Sequence, residues 1–499
     1  MAQQIDTALT AEGQQVHSDR LPPESVRVLT VLLVGAFVVI LNETALNVAL
    51  SRIMTDLAID ERTAQWLTTG FMLTMAVVIP ITGWLMERLP TRTVFTLAMS
   101  LFSLGTAVAA LGWAFPSLLA GRIIQASGTA IMMPLLMTTV MELIPSHRRG
   151  RVMGTISLVI SAAPAIGPTM SGVILQFLPW RFVFVLVLPI ALAILVLGLR
   201  QVPNLNTPVP VKLDAVSIPL AGLGFGGLVY GLSLVGSPTA GWLLEVALGV
   251  GVVALGLFIW RQIALQRQDA ALLDLRTFSY PIFTLALGVM AIAMAVLFGT
   301  IIALPLLLQQ VLHAEPLFVG LLLLPGALLT GLLGPVVGRL YDRVGPRWLV
   351  IPGGLAVAAS LALFSQVAVT TPWWQLLVAH LLLSLGLANM FTPLFTITLG
   401  ALPPHLYGHG SAMVGTVQQV AGAAGTALFV TVMSSVAAAQ PDWLSSEESL
   451  AAGARMAFLT VGLLWLAGIV ATFFLRKPVD TDSAAAPELA PLGSAGADA

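Results

Sequence analysis

The chain has 499 residues, 58% of them apolar and only 9% charged, with a formal net charge of −1. Soluble domains carry roughly 25% charged residues, so this composition excludes a water-soluble globular protein, and the near-zero charge argues against a nucleic-acid partner. With no cysteine, a disulfide framework, an iron–sulfur cluster and a thiolate zinc site are excluded as well.

Residues 1–27 are polar, with Asp6, Glu12 and Asp19, lack a signal-peptide pattern and read as a cytoplasmic disordered tail. Apolar stretches follow, each near the roughly 20 residues that cross about 30 Å of hydrocarbon. The first six are Val28–Leu50, Ala64–Met86, Thr93–Trp113, Ser117–Met141, Val152–Leu178 and Phe182–Leu199. Two more, Ala215–Val235 and Trp242–Trp260, form a hairpin over 212–262. The last six, within 280–476, are Ile282–Leu308, Leu317–Val337, Trp348–Val367, Trp373–Leu399, Gly410–Val436 and Met456–Leu475. From 477 to 499 the chain is rich in Ala, Pro, Ser and Gly and reads as a second disordered tail.

Fourteen spans place both chain ends on one side. Of the 22 Lys and Arg, only Arg52, Arg62, Arg181 and Arg455 fall on the other side, and Arg122 alone lies inside a span. The arginine-rich side is the cytoplasmic one by the positive-inside rule.

The chain repeats itself. Gly83-Trp-Leu-Met-Glu87-Arg88-Leu-Pro90-Thr-Arg92 follows span 2, and Gly338-Arg-Leu-Tyr-Asp342-Arg343-Val-Gly345-Pro-Arg347 follows span 10. Arg122, Gly128 and Pro145 are matched by His380, Gly386 and Pro403, and Gly154-Thr155 by Gly415-Thr416. Spans 1–6 (28–200) and 9–14 (280–476) are therefore two copies of one six-helix unit, oriented alike, with the hairpin inserted between them. Such a parallel repeat suits alternating access, in which two halves rock about a central site.

These features resemble the major facilitator superfamily, specifically its branch of 14-helix drug:proton antiporters and, within it, the lincomycin-resistance-type multidrug efflux transporters. The loops after spans 2 and 10 are similar to the family's Gly-x-Leu-x-Asp-Arg-x-Gly-x-Arg gating motif. The residues concerned are Gly83, Glu87, Arg88 and Arg92, then Gly338, Asp342, Arg343 and Arg347; Glu87 and Pro90 depart from the pattern. Span 1 carries Leu41-Asn42-Glu43-Thr44-Ala-Leu-Asn47-Val-Ala-Leu50, similar to Leu-Asp-x-Thr-x-x-Asn-Val-Ala-Leu, with the acid moved by one residue to Glu43. Span 5 resembles the antiporter motif through Gly154, Pro164, Gly167, Pro168 and Gly172, where prolines permit bending and small residues permit close helix contact.

An ionisable group inside a span is costly unless paired, and a carboxyl held away from water can exchange protons near neutral pH. Glu43, Arg122 and Asn42 are thus the candidate proton-coupling group. Arg122 is expected to partner Glu43, because helix rise puts both roughly 8–11 Å below the outer surface. Gln125, Gln309, Gln310, His380, Asn389, Gln418 and Gln419 are candidate cavity-lining residues. The glycine run Gly222-Leu-Gly224-Phe-Gly226-Gly227 fits a dinucleotide fingerprint, but it lies inside a span with no strand before it and reads as helix packing.

The resulting expectation is an all-α polytopic membrane protein of the major facilitator fold, with two six-helix bundles, an inserted two-helix hairpin and 14 transmembrane helices. The resemblance implies a proton-coupled antiporter, not an enzyme, exporting amphipathic or hydrophobic drugs across a bacterial cytoplasmic (inner) membrane. A dedicated exporter of one natural compound is the alternative, and a membrane scaffold or sensor the more remote one. The expected partners are the proton, a hydrophobic small molecule and the lipid bilayer. The protein is read as a functional monomer with no metal and no cofactor. The outer segment Ala437–Arg455 is a candidate contact for a periplasmic adaptor, with plain solvation the favoured reading.

Overall fold

The computed structural model describes residues 22–209, 214–235, 241–441 and 444–476. Most of the first tail, all of the second and the expected hairpin start at Lys212 lie outside the described residues. Among those described, regular structure is entirely helical. Apolar side chains leave the backbone as the main polar burden in a bilayer, and a helix satisfies it internally.

Fourteen apolar helices result. They are α1 (Pro23–Leu57), α2 (Glu61–Arg88), α3 (Thr91–Ala110), α4 (Phe115–Leu143), α5 (Arg149–Phe177) and α6 (Phe182–Gln201). Next come α7 (Ser217–Ser233) and α8 (Gly241–Gln266). The last six are α9 (Pro281–Leu306), α10 (Pro316–Val344), α11 (Arg347–Phe364), α12 (Trp373–Gly400), α13 (Tyr407–Ala438) and α14 (Ser446–Thr472). Thirteen of them are long and apolar enough to cross a bilayer; α7 is shorter and contains a π turn at Gly222–Gly226. Proline in the first turn opens α1, α4, α9 and α10, where a missing N–H costs nothing. Asp60 caps α2 by accepting the Thr63 amide, and Ser445 with Glu448 forms a capping box on α14.

Helix pairings repeat at an offset of eight. The α1–α5, α2–α4, α3–α4 and α3–α6 contacts recur as α9–α13, α10–α12, α11–α12 and α11–α14. Two seams join the bundles: α5 packs on α10, and α2 packs on α13. Among the described residues the hairpin lies against the second of them, where α7 contacts both α2 and α13. Gly222 and Gly226 put α7 beside Val77 of α2, and Trp66 stacks on Tyr230 with centroids 5.6 Å apart. The same glycine run packs against α8, where a Cβ on Gly227 would sit 2.9 Å from the Gly251 Cα.

Candidate functional site

Two polar regions stand out. One lies within the first bundle, around Arg122. The other lies at the arginine-rich end, along both seams.

Arg122 is 1% exposed, yet it is charged and sits amid apolar helices. Its guanidinium donates to Gln125 Oε1 at 2.6 Å and, more weakly, to Asn42 Oδ1 at 3.5 Å, and it lies over the Phe71 ring at 4.1 Å. Gln125 is fixed in turn, donating to Thr106 Oγ1 at 2.8 Å. Two donors in this buried cluster, Arg122 Nε and Asn42 Nδ2, have no partner. Each such donor costs about 1–3 kcal/mol, so the cluster favours an added acceptor.

The expected Glu43–Arg122 ion pair is not formed. Glu43 is half-buried and within electrostatic reach of Arg122, but the two make no contact within 4.0 Å among the described residues. Equal depth is not equal direction: adjacent helix positions point about 100° apart, and Asn42 takes the side that faces Arg122. The antiporter motif approaches the same turn of α1. A Cβ on Gly167 would meet the Leu41 carbonyl at 2.9 Å and the Ala45 amide at 3.1 Å. The helix α5 runs unbroken through Pro164 and Pro168, although the Pro168 side chain lies outside the described residues. Gly172 meets nothing within 4 Å, so it makes no close contact.

The cavity candidates do not converge. His380, in Arg122's repeat position, has Nε2 at 3.2 Å from the Leu323 carbonyl and a buried Nδ1 without a partner. Gly326 leaves space for that ring, which a Cβ would occupy. Asn389 bonds back to the Leu385 carbonyl at 2.8 Å. Gln309 and Gln310 are exposed in a π turn after α9. Gln418 reaches Met290 Sδ at 3.4 Å within its own bundle, whereas Gln419 reaches Met75 Sδ of α2 at 3.7 Å.

At the arginine-rich end each seam is closed differently. Asp342, just before the end of α10, accepts the Gly150 amide at 3.0 Å and the Arg151 amide at 2.8 Å, capping the start of α5. A carboxylate suits these free amides at a helix N-terminus. Close backbone contact reinforces the cap, since a Cβ on Gly154 would collide with the Gly334 carbonyl and one on Gly338 with the Gly150 carbonyl. On the other seam Glu87 accepts from His409 Nε2 of α13 at 3.1 Å. His409 Nδ1 accepts the Asp274 amide at 3.3 Å, which leaves the ring proton on Nε2. Gly83 is required here, because a Cβ would lie 2.6 Å from His409 Nδ1.

The remaining gating candidates are structural neighbours of these contacts. Arg88 lies over Trp84 at 5.8 Å, and Arg92 donates to the Leu199 carbonyl. Arg347 donates to the Leu475 carbonyl at 3.2 Å. Arg343, Arg347, Arg476 and Trp348 line an open cleft of about 440 Å³. Sequence reasoning missed His409, Asp274, Asn206 and the α4–α13 bond from Thr138 to Ser411 at 3.0 Å. Asn206 accepts from the Thr91 amide and donates to the Met86 and Leu89 carbonyls, so it joins the end of α2 to the start of α3.

Two like-oriented six-helix bundles, seams closed by acidic residues at one face, and a buried arginine cluster define a membrane transporter. The family model described as Major Facilitator Superfamily matches residues 32–426 and 289–495, and the chain belongs to that superfamily. It is 39% identical over 462 residues to lincomycin resistance protein LmrB of Listeria monocytogenes, covering 90% of this chain and 96% of that one. It is 28% identical to the multidrug resistance protein B homolog of Mycobacterium tuberculosis, covering 84% and 78%. The human organic anion transporter MFSD10 superposes with a TM-score of 0.63 at 18% identity, covering 90% of this chain and 100% of that one. The proton:xylose symporter XylE gives 0.60 at 15%, covering 91% and 96%. At such identities these two establish the fold alone.

Proposed function

We propose that this protein is a proton-coupled antiporter that exports amphipathic or hydrophobic drugs from a bacterial cell. The drug-export direction is supported by the lincomycin- and multidrug-resistance relatives. The coupling reading rests on one observation: a half-buried Glu43 beside a buried cationic cluster that still has two unsatisfied donors. Ionised Glu43 is the acceptor nearest in chemistry to what Arg122 and Asn42 lack. Protonation removes that attraction, so loading a proton and holding the cluster closed oppose each other. The arginine-rich face is taken as cytoplasmic, and Glu87 and Asp342 then hold the inner gate shut while the outer side opens.

The test uses vesicles loaded with a hydrophobic dye under an imposed pH gradient. Glu43→Gln is expected to lower gradient-driven efflux by at least about tenfold, the equivalent of one pK unit of lost coupling. Gradient-driven efflux equal to the parent's removes Glu43 from the coupling step.

A further inference from the structure

We infer that the inserted hairpin positions the gate of the α2–α13 seam through the chain segment that leaves it. This rests on the gating reading of Glu87 given above. The segment from Ala271 to Asp274 is not helical, and each of its four side chains is at least 95% buried. Buried backbone amides need partners. Gln262, fully buried on α8, supplies them: its Oε1 accepts the Leu272 amide at 2.7 Å and the Leu273 amide at 3.2 Å. The next amide, of Asp274, is the one that His409 accepts. A register set by Gln262 therefore fixes the donor that holds the His409 ring, and the ring holds Glu87.

Gln262 is itself anchored. Its Nε2 donates to Ser217 Oγ at 2.7 Å, and Ser217 donates to Asp214 at 2.5 Å. Arg261 donates to both Asp214 oxygens, at 2.6 and 2.7 Å. Arg276 and Gln266 hold the Asp274 carboxylate, so the segment cannot slide along α8. The chain that enters the hairpin is tied to the same seam, because Val209 donates to the Glu87 carbonyl at 3.1 Å. Both ends of the hairpin thus meet at Glu87, and α7 packs on the two helices that this gate joins. Gln262 is a positioning residue, acting through Asp274 and His409.

The cysteine-free chain allows a direct readout. A Cβ at Gly408 would lie 3.6 Å from the Met86 Cβ, within the range a disulfide spans. The rate of disulfide formation in Met86→Cys/Gly408→Cys, without substrate, therefore reports closure of this seam. Adding Gln262→Leu is expected to slow cross-linking about fivefold, the scale of one lost hydrogen bond. Gln262→Glu keeps the acceptor for the Leu272 and Leu273 amides but gives up the donor to Ser217, and is expected to slow cross-linking less than Gln262→Leu does. An unchanged rate in Gln262→Leu overturns the inference. Equal slowing in both variants, or slowing with a lowered unfolding midpoint, makes Gln262 a packing residue and overturns it too. If the cross-link leaves efflux unimpaired, the gate reading fails and this inference with it. If the cross-link blocks efflux but Gln262→Leu is silent, only this inference fails.

Discussion

The two seams between the bundles are copies of one design that has been executed with different chemistry. Across α5–α10, Asp342 reaches backbone amides directly, and glycine faces bring the two helices into backbone contact. Across α2–α13, the longer Glu87 meets a side chain, His409, and that side chain depends on a buried linker held by the hairpin. The turns differ to match: Gly345 adopts φ +78, which glycine tolerates, whereas the residues on either side of Pro90, in the same repeat position, are held by Asn206 from a distant segment, which accepts the Thr91 amide and donates to the Leu89 carbonyl. A carboxylate that caps a helix is self-sufficient. One that pairs with a ring needs the ring to be placed.

The largest effect expected from this contrast comes from the repeat-equivalent glycines. Gly154→Ala drives a methyl into the Gly334 carbonyl, a backbone atom that cannot yield. It should cost about 1–3 kcal/mol and abolish most efflux. Gly415→Ala meets only the Ile79 side chain, at 3.0 Å, and should leave efflux within about twofold of the parent. Equal losses in paired dye-efflux assays would erase the distinction between the seams.

Next in size are the acids. Asp342→Asn keeps one good acceptor for two amides and removes the charge, so efflux should fall about tenfold. Glu87→Gln can still accept from His409 and should lose only about threefold. A double-mutant cycle of Glu87→Ala and His409→Ala, read from unfolding midpoints, should return a coupling of about 1 kcal/mol. A coupling of zero would mean that the ring and the acid do not act together.

The smallest effect concerns acid. The Arg261 guanidinium holds Asp214 well below the usual carboxylate range, with help from Ser217. A depressed folded value contributes stability above the unfolded value, near pH 4, and loses it only as pH falls through the folded value. The destabilisation caused by Asp214→Asn should therefore stay constant between about pH 5 and pH 8. A change within that window would show that the hairpin anchor titrates.

The helices were legible because length and apolarity alone decide them, and the repeat was legible because Gly, acid and Arg recur in register. Several ends fell short of expectation, with α3 stopping at Ala110 rather than Trp113, α11 at Phe364 rather than Val367 and α14 at Thr472 rather than Leu475, and α7, Ser217–Ser233, is shorter than a full span. The Arg122 cluster was half legible. A buried arginine announces itself, but its partners depend on helix rotation, and one step in sequence separates Asn42, which bonds, from Glu43, which does not. The Glu87–His409 contact was illegible. His409 lies 322 residues from Glu87 and 135 from Asp274, and no local pattern ties a histidine at a helix start to either. Gln262 was equally illegible, because an amide that serves the backbone N–H groups of Leu272 and Leu273 leaves no spacing to detect.

The hairpin's position has a consequence for the protein's lipid-facing surface. Along α10, Leu328, Leu332, Val336 and Leu340 form a bare apolar row beside the α5 seam, each more than 40% exposed. The opposite crevice is roofed by α7 along α2 and α13. Lipid tails thus meet one bare flank and one covered by the hairpin, and the two sides of the protein present different surfaces to the bilayer.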